Sequence, residues 1–354
     1  MDSSMDNTDS PNTINILSRR NFLSLTLTLL YGTHNYLYAN DKNTHQKSQH
    51  ISESSANLPF KQGIKCGFLP ITDHLLIIAS TFFSHPKYYF VPIKFSQWAD
   101  LAEALRAGAI DMAFVLAPIG MELRAQNVPI KLLLNSHTNG SSLNVRIDSD
   151  VRNPAELHNK KIAVPSRFSS QYFLLDRILH KHGLDLHQIQ TIDMSPPEMQ
   201  AALYNRVIDA FIVAEPFGVI ANQRNIAKTL LYSKDVYPNH TCCNIVVRDN
   251  LLEDSIVAAI AQSMQQAKEV LEQNIQHAIK LQSSIMGQNP LAIQKVIQNN
   301  LVSYQNLLPN KVALQEFKEF IIREKLSKNL AHLDIGSYLF DMQPYMNSDI
   351  KINS

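Results

Sequence analysis

The chain has 354 residues, of which 45% are apolar and 18% charged, with a formal net charge of +1. That length allows two domains of ordinary globular composition. The balanced charge, without Lys/Arg runs interleaved with aromatics, argues against a nucleic-acid partner, and no apolar run reaches the roughly 20 residues that span a bilayer.

The N-terminus reads as an export signal. Residues 1–17 are polar, then Ser18-Arg19-Arg20-Asn21-Phe22-Leu23 precedes a short, mildly apolar segment ending near Gly32. A basic pair before such a core matches the twin-arginine class of signal peptide, with Ala39 as the cleavage point. The signal thus covers 1–39, and the polar residues 40–60 form a disordered leader. Export implies an oxidising compartment, where Cys66 can pair with Cys242 or Cys243 if their strands are neighbours, the vicinal pair itself not bridging easily; buried free thiols are an equal reading.

The first lobe starts with a strand over 63–69. Pro70-Ile71-Thr72-Asp73 is a turn, and Thr72 or Asp73 can cap a helix over 74–83. A second strand, 88–95, contains Pro92 and belongs at a sheet edge. A helix over 97–106 shows Trp98, Leu101, Ala102 and Leu105 at helical spacing, which puts Trp98 in the core. Gly108 suits a left-handed helix end. A third strand, 110–116, closes at Ala117-Pro118. A helix then starts near Gly120, and strands follow over 128–134 and 143–147.

The second lobe repeats the pattern. A short capped helix over 153–157 precedes a strand over 161–164, again closed by a proline. The loop Ser166-Arg167-Phe168-Ser169-Ser170 opens a helix over 171–182. Then come a strand over 189–194, a helix over 197–204, a strand closed by Glu215-Pro216, a helix over 217–224 and a strand over 229–232. The strand 241–247 leads back to the first lobe. Residues 251–345 read as helices without strand patterns, finishing on lobe one. The boundaries are 61–145 for the first part of lobe one, 146–244 for lobe two, and 245–354 for the return and C-terminal helices.

One stretch organises this layout. Residues 103–118, containing Ala-Gly-Ala-Ile-Asp and ending Leu116-Ala117-Pro118, align without a gap to residues 201–216, containing Val-Ile-Asp and ending Ala214-Glu215-Pro216. Equivalent elements in two lobes imply a cleft between them. Alternating strands and helices give mostly parallel sheets, whose ligands bind beyond the strands' carboxyl ends. Four loops qualify: 70–74, 117–120, 165–170 and 215–218. Ser166, Arg167 and Ser169 suit an anion, because a helix N-terminus and a guanidinium face it. Asp73 and Glu215 suit an amine, or act as helix caps. Ser141, in the turn before the crossover strand, can reach the cleft. His240-Thr241-Cys242-Cys243 brings soft ligands together, but the sequence shows no further partner for a copper or zinc site. Glycine is scarce, and no hydrolase, metalloprotease, P-loop or Rossmann pattern occurs.

Between residues 63 and 250 the chain resembles the periplasmic substrate-binding proteins of ABC importers in the nitrate/sulfonate/taurine/bicarbonate family. The resemblance rests on Gly67-Phe68-Leu69-Pro70-Ile71-Thr72-Asp73-His74, Ala-Gly-Ala-Ile-Asp with Leu116-Ala117-Pro118, Lys161-Ile162-Ala163-Val164-Pro165, and Ala214-Glu215-Pro216-Phe217. It implies an α/β two-lobe fold of the type II periplasmic-binding-protein class, a helical C-terminal segment, and a non-enzymatic monomer that delivers a small anionic or zwitterionic solute, of the nitrate, sulfonate or taurine kind, to a membrane permease without a cofactor. It also implies ligand contacts at Thr72, Asp73, His74, Ala117, Pro118, Ser166, Arg167, Ser169 and Glu215. An enzyme on this scaffold, resembling thiamine-pyrimidine synthase, and a periplasmic sensor subunit are the alternatives.

Overall fold

The Ile-Asp pair does the same work in both copies of the repeat. Asp111 Oδ2 accepts from Lys65 N at 2.9 Å, and Asp209 Oδ2 accepts from Lys161 N at 2.8 Å. The aspartate amides bond in turn to Lys65 O and Lys161 O, both at 2.8 Å. Each aspartate thus satisfies both backbone groups of the lysine on the neighbouring strand and starts that strand pair in register. The computed structural model describes residues 61–71 and 74–346. The expected signal and leader, and the site candidates Thr72 and Asp73, lie outside the described residues.

Strand β1 (Gln62–Phe68) is followed by helix α1 (Leu76–Ala79). That helix is shorter than the one expected over 74–83. Ser80 and Thr81 turn their hydroxyls back onto Ile77 O at 3.1 Å and Ile78 O at 2.7 Å, so side chains compete with the backbone for helix carbonyls. Strand β2 (Tyr88–Lys94) pairs only with β1, an edge position that tolerates Pro92. Helix α2 (Trp98–Arg106) ends ahead of Gly108, which has φ +71°. Strand β3 (Met112–Leu116) runs directly into α3 (Ala117–Ala125), with Pro118 in the first turn, where its missing N–H costs nothing. Strand β4 (Ile130–Asn135) follows.

The chain then crosses to the second lobe. After the two-residue strand β5 (Thr138–Asn139), strand β6 (Ser141–Arg146) is already part of the second sheet. The crossing therefore occupies 136–140, several residues before the expected boundary at 145. Ser141, Ser142 and Asn144 are buried strand residues, and their polarity gave the first half of β6 the look of a turn. The second lobe continues with β7 (Lys161–Val164), α4 (Ser170–Lys181), β8 (Gln190–Asp193), α5 (Pro196–Tyr204), β9 (Ala210–Ala214), α6 (Phe217–Gln223), β10 (Ala227–Tyr232) and α7 (Ser233–Val236). Strand β11 (Cys243–Arg248) returns between β3 and β4, antiparallel to both.

The two five-stranded sheets have one topology. Their orders are β2-β1-β3-β11-β4 and, from the matching end, β8-β7-β9-β6-β10. In each, the strand arriving from the other lobe sits fourth and is the one antiparallel member. The sheets are thus mostly parallel, and the two crossovers lie side by side, with Thr138 bridging Thr241.

The C-terminal part comprises α8 (Asp254–Gln273), α9 (Ile275–Met286), α10 (Pro290–Gln298), β12 (Val302–Ser303), α11 (Lys311–Arg323), α12 (Ile335–Tyr338) and α13 (Gln343–Met346). The short β12, paired with β5, is an exception to the strand-free expectation. Helix α11 does not finish on lobe one alone. Phe317 and Phe320 meet the Phe173 ring of α4 edge-on, with centroids at 4.7 and 5.4 Å. Arg323 Nη2 lies 2.6 Å from Oδ2 of the buried Asp176 on α4. Because α11 also packs on α3, it straddles both lobes. Its apolar stripe is visible as a core face, but periodicity does not say which lobe covers it. Among the described residues, no helix is long and apolar enough to cross a membrane.

Candidate functional site

Hydrogen bonds tie both lobes to the crossovers. Ala117 N, at the start of α3, donates to Cys242 O at 3.1 Å. From α4, Ser170 Oγ and Gln171 Nε2 donate to Cys242 Sγ at 3.2 and 3.3 Å, and Gln171 Nε2 also reaches Ser141 Oγ at 2.9 Å. The candidates Ala117, Pro118, Ser141 and Ser169 are all buried at this junction of lobes and crossovers. Ser169 caps α4, its Oγ accepting from Tyr172 N at 3.0 Å, and Ser166 Oγ accepts from Phe168 N at 3.0 Å. Those serines hold the loop in the shape that opens a helix.

Arg167 stands at the outer edge of this arrangement. It is about half exposed, with Nε 3.5 Å from Asp193 Oδ1. His74 is fully buried, its ring centroid 5.2 Å from that of Phe114 and 6.3 Å from Trp98. Neither ring nitrogen has a hydrogen bond of good geometry among the described residues, although the Leu69 backbone lies near enough to act on the ring. Burial, reinforced by His137, holds His74 well below the usual histidine range, so the ring is neutral.

Glu215 is buried within lobe two. Its Oε2 accepts from Val219 N at 2.9 Å, capping α6, and its Oε1 accepts from Ser142 Oγ at 2.6 Å. Ser142 Oγ accepts from Asn144 Nδ2 at 2.9 Å, Asn144 Oδ1 from Thr229 Oγ1 at 2.7 Å, and Thr229 Oγ1 from Asn222 Nδ2 at 2.6 Å. Every donor in this relay points toward the carboxylate, and such chains polarise cooperatively. The peptide bond between Glu215 and Pro216 is cis.

A cavity of about 660 Å³ lies between the lobes. Trp98, Arg106 and Glu122 line it from lobe one, and Ser166, Phe168, Asp193 and Glu198 from lobe two. Trp98 is therefore both core and cavity wall: its exposed remainder is 4%. Sequence reasoning missed the contribution of 193–198. The signal was present, because β8, like the strands ahead of the loops expected at the cleft, is soon followed by a proline, Pro196. The wall carries Arg106 with Glu122, Asp193 and Glu198, a set able to hold an amine and an acid group together.

None of the three cysteines is in a disulfide, and all three are buried. Burial, with Asp111 nearby, pushes the Cys66 thiol up. Cys242 is held well below the ordinary thiol range by its hydrogen bond from Cys243, and by His137 and His240, against the cost of burial. Burial brings His240 down to about 4.

The model of the NMT1-like family matches residues 59–283, more than half of the chain. The chain belongs to the NMT1-like family. It is 28% identical over 123 residues to the taurine-binding periplasmic protein of Escherichia coli K12, a match covering 35% of this chain and 38% of that one. It is 25% identical over 235 residues to the nitrate/nitrite binding protein NrtA of a Nostoc species, covering 59% of this chain and 53% of the relative. The match thus spans about half the length, or less, of these curated relatives. Among solved structures, the ligand-binding component of an ABC-type import system from Staphylococcus aureus, with zinc bound, superposes with a TM-score of 0.73 at 25% identity, covering 81% of this chain and 99% of that one. The fold is that of the periplasmic binding proteins.

Proposed function

We propose that this chain is the solute-binding subunit of an ABC importer. It closes two lobes on a small zwitterionic or anionic solute in the periplasm and presents it to a membrane permease. The observation that carries this reading is the pair of topologically equivalent sheets, joined by two adjacent crossovers, with a cavity of about 660 Å³ between them. Two crossovers form a hinge, and closure strengthens each ion pair by excluding water. The family and the taurine- and nitrate-binding relatives support the same role. The cavity favours a zwitterion over a bare anion: Arg106 and the nearby Arg167 suit a sulfonate or carboxylate, and Glu122, Asp193 and Glu198 suit an amine. Ser166, Ser169, His74, Ala117, Pro118, Ser141, Glu215, Thr72 and Asp73 complete the proposed cleft; export uses the twin-arginine pair Arg19-Arg20, and the subunit acts as a monomer.

A thermal-shift panel of taurine, alkanesulfonates, nitrate, bicarbonate and amino acids tests the reading. Ligand at about 100 times its Kd stabilises by roughly 2.7 kcal/mol, a rise of several degrees in Tm. Arg167→Ala should weaken the ligand so identified about tenfold, the loss of one charge-assisted contact. A panel without any saturable shift overturns the solute-binding assignment. A shift insensitive to Arg167→Ala removes that residue from the site.

A further inference from the structure

Neighbouring cysteines on a regular strand send their side chains to opposite faces. Cys242 and Cys243 do not. Cys242 precedes the first residue of β11, and at this crossover the backbone brings the two sulfurs to 4.0 Å. His137, on the outbound crossover, adds a ring nitrogen. The three donor atoms all lie within 4.8 Å of one another, and all three residues are buried. Donors on a tetrahedral zinc, at ~2.0–2.3 Å from the ion, stand about 3.3–3.8 Å apart. The three donors reach that geometry by contracting by up to about 1.5 Å.

The hydrogen bonds orient the rings for this use. Ser136 Oγ donates to Cys243 O at 3.2 Å, so Nδ1 of His137, 2.8 Å from the same oxygen, is the donor of that pair. The lone pair is then on Nε2. His240 is held alike: Nδ1 donates to Tyr237 O at 3.0 Å, and the buried Nε2 has no hydrogen-bond partner among the described residues. Anchoring one ring nitrogen to a carbonyl or hydroxyl is how metal sites orient histidine. Ser170 Oγ and Gln171 Nε2 donate to Cys242 Sγ, which favours the thiolate that a soft metal requires.

We propose that His137, Cys242 and Cys243 bind one thiophilic metal ion, and that His240 Nε2, which stands outside that three-residue group, moves in as the fourth ligand; Zn²⁺ fits the resulting two-sulfur, two-nitrogen set. The ion joins the outbound crossover to the return crossover and so staples the hinge between the lobes. This inference does not depend on the identity of the solute.

The full chain, reduced and stripped with chelator, is titrated with Co²⁺ as a spectroscopic probe and then with Zn²⁺. The expected result is saturation at one cobalt per chain, a thiolate-to-cobalt charge-transfer band with the intensity of two sulfur ligands, and displacement by one equivalent of Zn²⁺. Cys243→Ser should halve the band. The double variant Cys242→Ser/Cys243→Ser should abolish it and weaken zinc at least about 100-fold, whereas Cys66→Ser should change neither. Cobalt uptake without a thiolate band, zinc affinity unchanged in the double variant, or no uptake while both thiols are titratable overturns the proposal. The wild-type band decides the matter even where a variant fails to fold.

Discussion

Gly218 and Ser142 should be energetically coupled, and the coupling measures the network that fixes Glu215. A Cβ on Gly218 would stand 2.2 Å from Ser142 Oγ, 2.9 Å from Glu215 Oε1 and 3.0 Å from Asn144 Nδ2. Gly218→Ala therefore drives the Ser142 hydroxyl away from the carboxylate that it bonds at 2.6 Å. Overpacking costs about 1–3 kcal/mol and a lost bond to a buried charged group about 1.5–3 kcal/mol. The better helix propensity of alanine returns about 1 kcal/mol, leaving a net loss of roughly 1.5–5 kcal/mol. Ser142→Ala leaves Glu215 Oε1 and Asn144 Nδ2 each short of one partner, and should cost about 2–3 kcal/mol. In the double variant the atom in the way is gone, so the clash and the lost bond are not counted twice. The double loss should fall short of the sum by about 1–2 kcal/mol. Urea unfolding of the four proteins measures this. Additivity within about 0.5 kcal/mol would refute the argument that the Ser142 hydroxyl is what excludes a side chain at Gly218.

Two further outcomes follow from other parts of the molecule. Arg323→Ala removes the guanidinium that lies 2.6 Å from the buried Asp176; Arg323 is itself half exposed, which moderates the loss to about 1–3 kcal/mol. Urea unfolding should show that loss, and hydrogen exchange should rise in α4 and α11 above that elsewhere; uniform exchange would show that α11 does not bridge the lobes. Stability should also fall with acid, because the folded His74 is held well below the unfolded value and His240 at about 4. Below about pH 6.5 the unfolded chain takes up protons that the fold refuses, so each ring contributes up to about 1.4 kcal/mol per pH unit. His240 contributes between about pH 6.5 and about 4, and His74 from 6.5 downward. Urea midpoints of metal-free protein should drop steeply below about pH 6.5 and should go on rising gently above pH 7, where the unfolded chain still holds the proton that the folded Cys242 has lost; His74→Gln should make the acid slope visibly shallower, and an unchanged slope would contradict the burial account.

What the sequence disclosed and what it hid have separate physical causes. The two-lobe layout was legible because the same helix, Ile-Asp pair and proline-closed strand occur twice, and each Asp has a local backbone task that leaves a fixed signature. The repeat even runs on past the aligned stretch: Gly120 and Gly218 sit two residues after the paired prolines, and both lie where a Cβ would collide, with Tyr338 Oη at 2.4 Å in one lobe and Ser142 Oγ at 2.2 Å in the other. The polar half of β6 was not legible. Ser141, Ser142 and Asn144 are buried because they serve Glu215 and Gln171, and a strand whose side chains satisfy one another carries no apolar alternation to read. His137 was invisible for a different reason. It lies more than 100 residues from Cys242, and only the adjacency of the two crossovers brings them together. The order of strands in a sheet depends on tertiary pairing, which residue spacing does not encode. Constellations built across the hinge are therefore what sequence reading alone does not reach, whereas turns formed within one lobe, such as those at Ala117-Pro118 and Glu215-Pro216, keep a local signature.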